Sequence, residues 1–252
     1  MIVILFLSIF FFSCSSVDNY SHIKVKEVID GDTIVLANGK ILRYIGIDTA
    51  EVRIKQDKDF TYQPQPFALE AKEANRKLVE NKFVRIEFDV EKTDEYKRLL
   101  GYCFVNDLFV NAQLLEEGLA VLYTRPPNVK YANLFVELQK KARLSKKGIW
   151  GTYEVISSDQ AHKFINSIRR VRGKVVDTYQ SPKAVFLNFG RDYRKDFTVV
   201  IFNDCLKFFR EKDIEPAIFY RGKTIEVSGR IKEYNGPEIV ACSPYQIELV
   251  EE

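Results

Sequence analysis

Residues 28–53, VIDGDTIVLANGKILRYIGIDTAEVR, combine strand-like alternation with a heavy load of charge. Runs at 23–29 (IKVKEVI), 33–37 (TIVLA) and 40–47 (KILRYIGI) read as three strands, and Asn38–Gly39 is a hairpin signal between the second and third. Antiparallel strands of this kind bury one face. Asp32, Arg43, Asp48 and Glu51 nevertheless sit among them. Asp32 follows Gly31 at one end of a hairpin, so folding the strands can bring it near Asp48. Two hard carboxylates beside a third make an oxygen site for a divalent cation such as Ca2+. Their repulsion is costly unless a cation or an arginine offsets it. Arg43 is a candidate fork for a phosphate oxygen, and a second arginine, Arg98 in TDEYKRLLGY, opens the strand that would complete the sheet.

Further along, the period of the pattern changes. From Pro66, Phe67, Ala71, Ala74 and Leu78 fall on one helical face. Residues 83–90 and 99–105 are two more strands, and 110–118 is a short helix ended by Gly118. A third helix follows Tyr131, with Leu134, Leu138 and Ala142 at four-residue spacing, and stops at Gly148–Ile149–Trp150. Five strands and three helices make an α+β unit over 23–153. Residues 154–162 are polar and read as a linker. The remainder, 163–252, is mostly β, with a helix after its third strand and a tight turn at Asn235–Gly236–Pro237, the element order of a five-stranded OB barrel.

Five blocks of the first unit resemble the staphylococcal nuclease (thermonuclease) family: DGDT (30–33), LRYIGIDTAE (42–51), TDEYKR (93–98), VNAQLLEEGLA (110–120) and KKGIW (146–150). The resemblance implies a five-stranded OB barrel with three helices, followed here by the second, OB-like barrel. It further implies Ca2+ held by Asp32, Asp48 and the Thr49 carbonyl, water activated by Glu51, and a phosphodiester gripped by Arg43 and Arg98. Cleavage of DNA and/or RNA would leave a 5′-hydroxyl and a 3′-phosphate. Tyr96, and Tyr123 with it, would lie where the family binds nucleotides. Ala50 replaces the family's proline before Glu51, and Glu95 and Lys97 replace a lysine and a glycine beside Tyr96. A family member without activity, binding nucleic acid at the surface, is the alternative reading. A structural lipoprotein whose second barrel binds sugar or protein is another.

In that second barrel, Tyr179, Phe186, Phe189, Tyr193 and Tyr234 offer stacking faces or core. Arg172, Lys174, Arg191, Arg194 and Arg230 offer a path for a phosphate backbone or a solvated face. Net charge gives no further guidance, because 38 basic residues nearly balance 35 acidic ones. No protein partner is implied.

The amino terminus, MIVILFLSIFFFSCSS, carries an apolar run too short to span a bilayer, which needs about 20 residues. It suits a signal peptide over 1–13. Ser13–Cys14 resembles a lipoprotein cleavage site, with Phe11 where an aliphatic residue is usual and no basic residue ahead of the run. Cys14 would then be acylated and would anchor the exported chain to a membrane through a tether at 14–22; an ordinary cleaved signal or a short membrane anchor is the alternative. Of the remaining cysteines, Cys103 reads as a buried thiol, and Cys205 and Cys242 could pair in an oxidising compartment. Two histidines and no C-x-x-C spacing argue against zinc.

Overall fold

The computed structural model describes residues 20–56 and 59–250; the leader, Ser13 and Cys14 lie outside them. Strands β1 (Ile23–Asp30), β2 (Thr33–Leu36) and β3 (Ile41–Tyr44) form an antiparallel meander around the Asn38–Gly39 turn. Strand β4 (Gly46–Thr49) departs from it, and a hairpin of β5 (Arg53–Gln56) and β6 (Asp59–Tyr62) follows. Helix α1 (Ala68–Val79), strands β7 (Phe83–Glu87), β8 (Leu99–Val105) and β9 (Leu108–Phe109), helix α2 (Val110–Glu116), strand β10 (Ala120–Tyr123) and helices α3 (Ala132–Leu144) and α4 (Ile149–Thr152) complete the first unit.

Strand β3 pairs in parallel with β8, Leu42 opposite Leu99. That pairing closes the ring β1–β2–β3–β8–β7 into a five-stranded barrel. Its core takes the inward residues of every strand, among them Val25, Ile34, Leu36, Leu42, Tyr44, Val84 and Cys103.

The single strand expected over 40–47 is two. Gly46 takes φ +83°, and a Cβ there would lie 2.5 Å from the Phe135 ring, so only glycine lets the chain turn against α3. The turn sends β4 away to pair with β10, Asp48 opposite Val121. Helix α1 uses the expected face, with Ala71 buried and Phe67, Ala74 and Leu78 packed against the cores, whereas α3 is turned so that Leu134 faces outward. Helix α1 buries Ala68, Ala71, Asn75 and Val79, and α3 buries Phe135, Val136, Gln139 and Ala142 while Leu134 stays exposed. Tertiary contacts chose the stripe of α3, because two of its adjacent faces are apolar enough to serve.

The stretch read as a linker is folded. Strand β11 (Val155–Ser157) pairs in parallel with β12 (Ile168–Lys174), and Ser158–Phe164 form a 3₁₀ helix whose Ala161 is fully buried. The end of the expected tether is docked as well. The Ile86 N–H donates to the Tyr20 carbonyl at 2.7 Å, and His22 stacks on Phe83.

The second unit continues with β13 (Asp177–Gln180), β14 (Ala184–Asn188), β15 (Thr198–Phe202), α5 (Asn203–Arg210), α6 (Pro216–Phe219), β16 (Thr224–Arg230), β17 (Lys232–Glu233), β18 (Pro237–Val240) and β19 (Ile247–Leu249). Strands β12 and β13 are halves of one bent strand, as are β16 and β17, and these bends carry the backbone from one sheet to the next. Numbering each bent pair as one, the ring runs first, second, third, fifth, fourth, with a parallel pair between third (β15) and fifth (β18) and a helix after the third. The first unit has that same ring, with α1 in the place of α5. A disulfide joins Cys205 on α5 to Cys242 beyond β18.

The units share a seam. Ile168 of β12 packs with Val121, Ala142, Ile149 and Trp150 of the first unit.

Candidate active site

The bend between β1 and β2 places the first carboxylate. A Cβ on Gly31 would lie 2.7 Å from the Thr49 hydroxyl and 2.8 Å from Ala71, so glycine allows this turn to press against β4 and α1. Asn75 of α1 pins the same corner. It donates to the Asp30 carbonyl at 3.0 Å and accepts from the Tyr44 hydroxyl at 2.9 Å.

Asp32 therefore meets Thr49 directly. Its Oδ2 accepts the Thr49 N–H at 2.9 Å and the Thr49 hydroxyl at 3.1 Å, while Oδ1 accepts the Thr33 hydroxyl at 2.9 Å. Arg43 bridges the two aspartates, with Nη1 3.1 Å from Asp32 Oδ2 and Nη2 2.9 Å from Asp48 Oδ1. Nη1 also donates to the carbonyls of Tyr44 and Ile47, both at 2.9 Å, which fixes the fork against the Gly46 turn. Burial works against the Arg43 charge, but Asp32, Asp48 and Glu51 outweigh it and hold the guanidinium above the ordinary arginine value.

Glu51 is anchored by its backbone. Its N–H donates to Gln65 Oε1 at 2.9 Å, and its carbonyl accepts the Gln65 N–H at 2.9 Å. Burial raises the Glu51 carboxyl from its ordinary value; Arg230 opposes the shift, and Asp32, Asp30 and Asp48 add to it. The side chain still reaches water, being 41% exposed.

Asp32, Arg43, Asp48, Thr49 and Glu51 thus come together. Arg98 does not join them by a direct contact. Its backbone N–H donates to Asp94 Oδ1 at 2.9 Å and its Nε to Oδ2 at 2.7 Å, with the guanidinium 5.6 Å from the Tyr96 ring. Leu99 opposite Leu42 nevertheless puts Arg98 at the end of the strand beside Arg43. Tyr96 is exposed, and Tyr123 lies half-buried opposite Gly46 near Arg43.

Two residues at the site lay outside the expected set. Asp30, nearly buried, shares a side-chain hydrogen bond with Glu51, and burial with Asp32 beside it raises its carboxyl above the ordinary value. It stands in the same DGDT block, so a second carboxylate two residues from Asp32 was the available signal. Arg230, expected on a phosphate-tracking surface, instead enters this site from the second unit. Its Nη2 donates to Asp48 Oδ2 at 3.1 Å and to the Thr49 carbonyl at 2.7 Å, and lies 3.3 Å from Glu51 Oε1. No local pattern could reveal a contact across 182 positions.

Asp32, Asp48 and the Thr49 carbonyl fit a hard cation in their chemistry, since all are oxygen donors. Among the described residues no three His, Cys, Asp or Glu side chains gather into a metal cluster.

The second unit carries a groove of about 1060 Å3 lined by Tyr179, Phe186, Arg191, Tyr193, Arg221 and Tyr234. Tyr179, Tyr193 and Tyr234 are more than half exposed there. Phe189 is core, packed against Phe197, and Arg172 is tied to Glu226.

The first unit is thus a five-stranded barrel that carries a carboxylate–arginine cluster at one end. The family model described as staphylococcal nuclease homologue matches residues 41–152. The thermonuclease of Staphylococcus intermedius is 38% identical over 129 residues, which cover 50% of this chain and 74% of that one. The thermonuclease of Staphylococcus hyicus is 38% identical over 135 residues, covering 52% and 77%. Endonuclease YncB of Bacillus subtilis is 37% identical over 134 residues, covering 51% and 61%. The chain belongs to the staphylococcal nuclease family.

Proposed function

We propose that this nuclease-family hydrolase is exported, depends on Ca2+, and cuts phosphodiester bonds of DNA and/or RNA with little sequence preference. The observation that carries the reading is the convergence of Asp32, Arg43, Asp48, Thr49 and Glu51 at one end of the first barrel. Asp32, Asp48 and the Thr49 carbonyl would hold the cation, which when bound supplies positive charge against the phosphate.

Glu51, whose side chain reaches water, takes the proton of the attacking water. Water oxygen bonds to phosphorus as the bond to the 5′-oxygen breaks, and the leaving oxygen takes a proton from solvent, giving a 5′-hydroxyl and a 3′-phosphate. Arg43 and Arg98 donate to the phosphate oxygens as their charge grows, with Arg98 turning from its carboxylate partner, Asp94. Tyr96 and Tyr123 flank the nucleotide. In the second unit, Tyr179, Tyr193 and Tyr234 stack on bases of a strand held in the groove, with Arg191 following its backbone.

The export part of the reading rests on the apolar leader and Cys14. A Cys14→Ser change would move the protein out of the membrane fraction. Among the described residues no helix is long and apolar enough to cross a membrane.

The deciding experiment incubates the chain from Ser15 onward with single- and double-stranded DNA and with RNA, in Ca2+ or in chelator, beside Glu51→Gln. Calcium-dependent hydrolysis that the variant largely abolishes supports the reading. A folded wild type that cuts none of these substrates overturns it.

A further inference from the structure

One nitrogen of Arg230 stands among the oxygens that a divalent cation would use. Nη2 is 2.7 Å from the Thr49 carbonyl, 3.1 Å from Asp48 Oδ2 and 3.3 Å from Glu51 Oε1. Nη1 is braced 2.9 Å from the Asn166 carbonyl and 3.1 Å from Gln65 Oε1. The side chain is only 16% exposed. Asp48 is thereby shared between two guanidiniums, Arg43 on Oδ1 and Arg230 on Oδ2.

Calcium sits about 2.3–2.6 Å from each oxygen ligand. An ion on Asp48 Oδ2 and the Thr49 carbonyl would fall where Nη2 now lies, and the two positive charges would repel at contact distance. The two arginines differ in how they can yield. Arg43 is built into the barrel wall by the carbonyls of Tyr44 and Ile47. Arg230 ends β16, just before the bend at Ile231, and its other partners, Gln65 and Asn166, belong to the seam between the units.

We propose that Arg230 is a built-in counter-cation: the second unit lends its guanidinium to the cation site, and the guanidinium withdraws when a divalent ion binds. The inference rests on the reading of Asp32, Asp48 and Thr49 as cation ligands. Two consequences follow by reciprocity. Arg230 lowers the affinity of the site for Ca2+, and Ca2+ loosens the seam around Asn166 and Ile231.

The test titrates CaCl2 into the full soluble chain by calorimetry, comparing wild type with Arg230→Gln, Arg230→Lys and Asp48→Asn. Hydrogen exchange is followed at the Asn166 and Ile231 amides, which flank Arg230's anchorage and donate to the Ile231 and Ser167 carbonyls within the second unit. Losing the charged donors should tighten Ca2+ binding on the order of tenfold in Arg230→Gln, the equivalent of one charge-assisted hydrogen bond. Arg230→Lys keeps the charge on a single ammonium and should gain less; it carries the test if the glutamine variant does not fold. Both amides should exchange faster in wild type when Ca2+ is added. Equal or weaker Ca2+ binding by a folded variant, with binding still lost in Asp48→Asn, overturns the counter-cation role while leaving the cation site standing. Absence of Ca2+ binding in wild type and both Arg230 variants overturns both.

Discussion

Arg143 and Glu226 face each other across the seam with Nη2 and Oε1 2.9 Å apart. Arg143 comes from α3 of the first unit, and Glu226, 4% exposed, from β16 of the second. The same carboxylate accepts Arg170 Nε at 2.7 Å and Arg172 Nη2 at 3.0 Å. Removing it leaves Arg170 poorly solvated without this carboxylate, and Arg143 paired with Glu248 alone among the described residues. Glu226→Ala should cost about 3–5 kcal/mol in urea unfolding, the scale for breaking a buried pair. A cost under about 1 kcal/mol would mean the arginines find water instead.

Lys97 stands where the family commonly has glycine, and it adopts φ +63°. An L-residue in that region is strained by roughly 1–2 kcal/mol. Lys97→Gly should therefore raise stability by about 1 kcal/mol, less the entropy of a freer unfolded chain. Chemical denaturation of the two proteins decides it, and a loss of stability would show that the lysine side chain contributes more than the turn strain.

Cys103 is fully buried, and burial pushes its thiol up to about 12. The folded value lies above the unfolded one, so the protonated thiol favours the native state. That contribution is complete below the ordinary thiol range and fades as pH rises toward 12. At pH 8 a thiol reagent should leave Cys103 untouched in the native chain and label it quickly in denaturant. Rapid labelling of native protein would place the thiol nearer the surface.

Cys205 and Cys242 close a loop 37 positions long. On chain-entropy grounds reduction should lower stability by about 4 kcal/mol. The unfolding midpoint measured with and without reductant tests this, and coincident midpoints would contradict it.

Much of the first barrel was legible because its signals are local. Asn38–Gly39 marks a turn wherever it occurs, and Asp32, Arg43, Asp48 and Glu51 fall within twenty positions of one another. What stayed hidden depends on distant partners. The break after Tyr44 exists because Gly46 presses on Phe135, some ninety positions away. Residues 154–162 look polar enough for a linker, yet β12 offers them an edge to pair with. Arg230 reads as one more surface base until β16 is placed beside β4 and β10.

The shared ring order bears on how each barrel is completed. In both, the parallel pair joins the strands that lie far apart along the chain: Leu42 must find Leu99, and Thr198 must find Glu238. Neighbouring hairpins can form early, whereas these closures wait on a long segment coming back. In the second barrel the bond between Cys205 and Cys242 spans nearly the interval that this closure must bridge. An oxidised chain would therefore begin folding with that one pair of strands already held near, while the nuclease barrel must find its own closure unaided.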